Sequence, residues 1–232
     1  MNYISLATTL IALIFSGSVF ERYRQRGGPH LLFWSIGALL YGLGAISETL
    51  LSVGFNTFAL KTWYLAGAML TAPWLGQGTV FLLVRKRNVA AILATILLVA
   101  SLFAIDSLRV APITAAASTY DPLSPVAEQY SDILIRNGVI ITLTILLNLY
   151  GTLALAGGAL YSAYLFWRKR VLANRLYGNI LIAAGALLPA SGGSFVLAGF
   201  VDWHSLSLLL GVVLLYLGYI QAAKAPETRS TA

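Results

Sequence analysis

Residues 89–105 read VAAILATILLVASLFAI, seventeen consecutive positions without a charge, entered through Arg85-Lys86-Arg87 and left through Asp106. An α-helix rises 1.5 Å per residue, so crossing ~30 Å of hydrocarbon takes about 20 apolar residues. This run suffices if it crosses with little tilt. Working outward, six more runs have this character, at 2–20, 31–55, 62–84, 139–167, 176–201 and 205–223. The expected fold class is all-α: an integral membrane bundle of seven helices in one domain over 1–224, with a short tail at 225–232.

Composition points the same way. The 232 residues are 59% hydrophobic and 10% charged, where soluble domains are roughly 45–50% apolar and about 25% charged. So few charges cannot cover a water-facing surface, whereas a lipid-facing one needs none. The absence of cysteine excludes disulfides, thiolate metal sites, Fe–S ligation and a cysteine nucleophile, and leaves the compartment unread from redox chemistry.

The basic residues set an orientation. Twelve of the 15 fall in one set of alternate connections and the tail: Arg22, Arg24, Arg26, Arg85, Lys86, Arg87, Arg168, Lys169, Arg170, Arg175, Lys224 and Arg229. Lys61, Arg109 and Arg136 fall in the other, with Asp106, Asp121, Glu128, Asp132 and Asp202. The positive-inside rule then puts the N-terminus outside and the C-terminus in the cytoplasm. The net charge of +7 is read as membrane topology, not as nucleic-acid binding, because the cations are scattered over separate inner loops. No cation precedes the first run, so it is expected to stay as a helix instead of being cleaved as a signal peptide. The location expected is the plasma (inner) membrane, multi-pass.

A shift of about 145 residues superposes the first three runs on the last three. Ser16, Phe20 and Arg22 fall near Ser162, Phe166 and Arg168; Leu31, Ala38, Leu43, Ala45, Gly54 and Phe55 fall on Leu176, Ala183, Leu188, Ala190, Gly199 and Phe200. Such a 3+1+3 plan gives two parallel repeats, and in carriers built this way ligands bind between them. The layout resembles SWEET-type sugar transporters, and more loosely opsins, in architecture only. The Pro-Gln dipeptide of the first family is absent, and the lysine that opsins carry in their last helix has no counterpart, since Lys61, Lys86, Lys169 and Lys224 all lie at run ends.

Polar residues inside such runs are the candidates for a site. Glu48, ~27 Å along the second helix from His30, shares a small, polar face with Trp34, Tyr41, Gly44 and Ser52. The third run carries Trp74 and Gln77, with Pro73 expected to kink it and leave the Met69 carbonyl free. The fifth carries Asn148, and Gly157 and Gly158 for close approach; the sixth carries Asn179 and the run Leu188-Pro189-Ala190-Ser191-Gly192-Gly193-Ser194, expected to be kinked or unwound around a site. Ser207, Gly211 and Gly218 read as a packing seam in the seventh. The candidate ligand-binding residues are therefore Tyr41, Glu48, Trp74, Gln77, Asn148, Asn179, Ser191 and Ser194. In the outer loop, 106–136, Ser124-Pro125 is expected to start a short amphipathic helix.

No catalytic motif, metal set or cofactor is called for. Three readings are weighed. The first is a carrier of a small neutral or weakly polar solute. The second is a ligand- or lipid-binding sensor or assembly subunit acting through a protein partner or a second copy of itself. The third is a membrane-embedded lipid hydrolase using Glu48, Asp202 and His204. The partners expected are the bilayer, a small-molecule ligand and another protein chain; nucleic acid is not among them.

Overall fold

A computed structural model describes residues 2–84, 86–169, 173–197 and 202–224. The chain is all-helical. Its elements are α1 (Tyr3–Arg26), α2 (Pro29–Leu51), α3 (Thr57–Thr62), α4 (Thr71–Leu83), α5 (Arg87–Val110), α6 (Val126–Ile133), α7 (Gly138–Thr152), α8 (Gly158–Lys169), α9 (Ala173–Leu197) and α10 (Asp202–Ala223). A π-helical segment, Trp63–Leu70, joins α3 to α4, and a second, Leu153–Gly157, joins α7 to α8. Five helical stretches are long and apolar enough to cross a membrane: Tyr3–Arg26, Pro29–Leu51, Asn88–Val110, Gly138–Lys169 and Trp203–Ala223. The composite Thr57–Leu83 stretch and α9 pack among them.

Local chemistry sets the helix ends. Asn2, Asn56 and Asn137 each fold a side-chain oxygen onto the backbone N–H groups that open α1, α3 and α7, the usual role of Asn before a first turn. α1 runs past the apolar stretch, through Arg22, Arg24 and Arg26, and stops where Gly27 and Gly28 take φ of 66° and 103°, values open to glycine but strained for other residues. α2 ends at Leu51, short of 55, because the chain turns at Ser52–Gly54 before Asn56 restarts it.

α5 lies at the rim, turning Ile92, Ile96, Val99, Leu102 and Phe103 outward. Large apolar side chains in a row on one face suit hydrocarbon contact. The interior divides in two. One cluster gathers Leu51, Leu60, Trp63, Met69, Leu97, Ile133 and Ile140; the other gathers Phe15, Val19, Ala38, Ile182, Val212 and Leu215 from α1, α2, α9 and α10.

Glycines let the backbones touch. Gly178, Gly185 and Gly192 recur every seven residues along α9 and face Gly218 with Ala222, Gly211 with Leu215, and His204 with Ser207 on α10. A Cβ on Gly211 would lie 2.6 Å from Pro189 Cγ. The run from Leu188 onward is helical through Leu197, not unwound, and Pro189 sits inside the helix. Its ring fills the hollow at Gly211, and the Gly185 carbonyl, which Pro189 cannot serve as a donor, lies against the same glycine. A second seam joins α4 to α7 and α8: a Cβ on Gly151 would lie 2.4 Å from Pro73 N, and one on Gly158 2.6 Å from Thr79 Cγ2. Gly157 faces open space.

Overpacking such seams costs about 1–3 kcal/mol or more. Gly211→Val and Gly151→Val are expected to lower the melting temperature by several degrees, whereas Gly157→Ala, with nothing nearby, is expected to leave it unchanged; a fluorescence melt of the purified protein reads both.

Candidate functional site

Most interior polar groups hold the fold to itself. Gln77, fully buried, donates from Nε2 to the Ala90 carbonyl at 2.9 Å and accepts at Oε1 from the Tyr150 hydroxyl, so one amide ties α4 to α5 and α7. Asn148 Nδ2 donates to the Ala68 carbonyl at 2.6 Å and to Thr144 O at 2.9 Å. Ala68 lies in the π-helical segment, one residue from the Met69 acceptor that Pro73 leaves without its helical donor. Thr71 closes the same segment, its N–H and its hydroxyl both reaching Ala66 O. Proline and π turn together free carbonyls, and neighbouring side chains supply donors.

The other sequence-derived candidates are engaged likewise. Tyr41 donates to Leu208 O at 2.6 Å, Trp74 Nε1 to Ser101 Oγ at 3.2 Å, Asn179 Nδ2 to Arg175 O at 2.7 Å and Ser191 Oγ to Leu188 O at 2.7 Å. The Ser194 side chain lies outside the described part of the structure. None of these residues lines the cleft described next.

Glu48 is different. It sits on the last turn of α2, only 5% exposed. Its Oε1 accepts from Ser205 Oγ at 2.7 Å and from Asn2 Nδ2 at 3.2 Å, while Oε2 is buried with no partner. Asn2 Nδ2 also reaches Ser205 Oγ at 3.4 Å, and the Asn2 N–H donates to Ser52 Oγ at 2.8 Å. Three helix ends therefore meet here: the cap of α1, the last turn of α2 and the first turn of α10. The local sequence explains each arrival, since Asn2 is held by its capping bonds to Ile4 and Ser5 N–H and Ser52 caps α2. Asn2 and Ser205 were absent from the sequence-derived candidates; the signal for Asn2 is an Asn one residue before an apolar helix, and Ser205 carries none.

This cluster floors a cleft of about 390 Å³. Its remaining walls are Ile4 and the loop residues Tyr120, Pro122, Leu123, Ser124, Pro125 and Val126. Asp121 fixes that loop: it accepts from Leu123 N–H and from the Ser124 hydroxyl, bonds that hold its carboxyl below the usual carboxylate range. Gln129 closes the turn from α6, donating to Asp121 O and Ser124 O. Burial, then the charges of Glu48 and Asp121, push the Tyr120 phenol up to about 12. Further along, Arg136 stands 4.8 Å over the Tyr130 ring and 5.9 Å over Tyr64, with Trp63 against Tyr130 at 5.3 Å, which pins α6 to the start of the π-helical segment.

No group of three potential metal ligands exists among the described residues. The His204 ring lies against Gly192 in the α9–α10 seam, with its Nδ1 buried and without a partner, and it is not a wall of the cleft; the Asp202 side chain lies outside the described part. No family model, curated protein or solved structure matches this chain.

Removing Gln77 leaves the Tyr150 hydroxyl without its acceptor and takes a second donor from Ala90 O, which keeps its helical bond in α5, a loss of about 1–3 kcal/mol. Gln77→Leu is therefore expected to lower the melting temperature by several degrees and Tyr150→Phe by less, measured side by side. The Tyr120 proton is bound more tightly in the folded state than at its ordinary value of 10.0. Its contribution to stability is complete below pH ~10 and is lost as pH rises through about 12. An ultraviolet titration, taken as the difference from Tyr120→Phe, is expected to find this phenol near 12 and to find it lower in Glu48→Gln.

Proposed function

We propose that the chain is a plasma-membrane protein of seven crossings, N-terminus and cleft outside and C-terminus inside, that binds a small ligand at Glu48 and relays its presence to a partner protein. The seven crossings are the five apolar stretches together with Thr57–Leu83 and α9. The charge bias of the connections supports the orientation. The observation that carries the binding role is the contrast between Gln77, Asn148, Tyr41 and Trp74, each bonded within the protein, and Glu48, a lining residue of the cleft whose carboxylate has one oxygen buried without a partner.

A route for the relay exists in the packing. Gly44, one turn below Glu48 on α2, meets the π-helical segment backbone to backbone: a Cβ on Gly44 would lie 2.8 Å from Gly67 Cα. A shift of α2 driven from the cleft therefore bears on the π register at Trp63–Leu70, an irregularity of the kind concentrated at functional places in helices. Two discrete arrangements of one segment are what a coupling between sites requires.

The carrier reading stands second, favoured by the presence of two π-helical segments, at Trp63–Leu70 and Leu153–Gly157. Vesicle flux separates the two. With a broad panel of sugars, amino acids, amines and ions, flux through reconstituted protein is expected to stay at the level of empty vesicles, and hydrogen exchange over 63–70 is expected to change when the cleft is altered by Ser205→Ala. Solute-specific flux that disappears in Asn148→Ala would instead establish a carrier.

A further inference from the structure

The chemistry of the cleft narrows what it binds, and the step rests on the binding role proposed above. An ionised carboxylate removed from water is costly unless it is paired and hydrogen-bonded. Glu48 has the hydrogen bonds on one oxygen, from two neutral donors, and nothing on the other. The ion pairs among the described residues are Arg24 with Glu21 and Arg109 with Asp106, both exposed and neither involving Glu48. A neutral ligand would supply a donor but leave the charge uncompensated. A divalent metal ion requires several oxygen ligands, usually with more than one carboxylate, and Glu48 is the one carboxylate on these walls.

We propose that the cleft takes a small primary amine in its protonated form, with the ammonium group pairing with the Glu48 carboxylate and a short hydrocarbon body lying against Ile4, Tyr120, Pro122 and Val126. A charge-assisted N–H···O bond is roughly twice as strong as a neutral one, and the carboxylate has one oxygen without a partner. The Tyr120 ring supplies a π face, which attracts cations, and Tyr120 lies near enough to Glu48 for its phenol to respond to that charge. About 390 Å³ lies within the range of small-molecule sites, roughly 300–1,000 Å³. The other charges on this side largely offset one another, Asp106 pairing with Arg109 and Lys61 and Arg136 standing against Asp121, Glu128 and Asp132, so the preference for a cation rests on Glu48 itself.

The test is a melting series of the full chain in nanodiscs with n-butylammonium chloride, n-butanol and sodium chloride, on wild type and Glu48→Gln. Glutamine retains the shape and an oxygen for Ser205 and Asn2 but removes the charge, so Glu48→Gln alone is expected to melt at or above wild type. Butylammonium is expected to raise the melting temperature of wild type in a saturable way, with at least a tenfold weaker midpoint in Glu48→Gln, and butanol is expected to raise neither. Equal shifts with butanol in both proteins would overturn the amine assignment while retaining the cleft as a binding site. Equal shifts with sodium chloride at matched concentration would overturn it in favour of an inorganic cation. No shift with any probe would overturn it as well; binding at the cleft would then fall too if an impermeant maleimide leaves Ser52→Cys unlabelled and stand if it labels that residue.

Discussion

In a chain this poor in charge, hydrogen bonds between polar groups of the protein itself decide where everything else can go. Where water does not reach, a free carbonyl or amide costs several kcal/mol, so every irregularity in a helix must bring a partner from a neighbouring one. Pro73 and the π turn before it free carbonyls, and Asn148 supplies an amide to Ala68 O. That bond sets the depth of α7 against α4, which in turn places Gly151 on the Pro73 backbone and Tyr150 within reach of Gln77. Pro189 is accommodated differently: the Gly185 carbonyl and the proline ring both lie against Gly211, where a larger residue would separate α9 from α10.

The same constraint makes Glu48 informative. Gln77, Asn148 and the Trp74 indole are bonded at home and the α9–α10 seam is closed by glycine, so among the described residues these polar groups serve the packing of the bundle. Glu48 stands at the end of this network, held by Ser205 and Asn2 on one oxygen only. Its position one turn from the Gly44–Gly67 contact joins the cleft to the one segment of α2's neighbourhood where the helical register already departs from α.

Much of this was legible in the residues themselves. Long uncharged runs bounded by arginine, asparagine at helix starts and glycine at helix stops are local signals, and the described residues are all-helical with five stretches long and apolar enough to cross a membrane. The helical spacing of Gly211 and Gly218 with Ser207 is also local, and it marks a face that meets α9 closely. What was not legible is partnership. Gln77 and Asn148 look alike as buried amides whether they bind a ligand or a carbonyl, because their acceptors, Ala90 O and Ala68 O, belong to the backbone and leave no trace in the side-chain pattern. The Pro189 run suggested an opening for the same reason: Gly192 and Gly211 can accommodate an unwound chain or a neighbouring helix, and only the packed structure distinguishes them. Ser205 meets Glu48 across 157 positions of sequence, a distance over which no periodicity speaks.

Because the chain has no cysteine, single cysteines can be placed at will and probed from outside with a membrane-impermeant maleimide in intact cells. Ser52→Cys, on the wall of the cleft, should be modified, while Gln77→Cys and Asn148→Cys should stay unmodified until the protein is denatured. Modification of all three at similar rates would show water running through the centre of the bundle and would contradict an interior closed by its own hydrogen bonds.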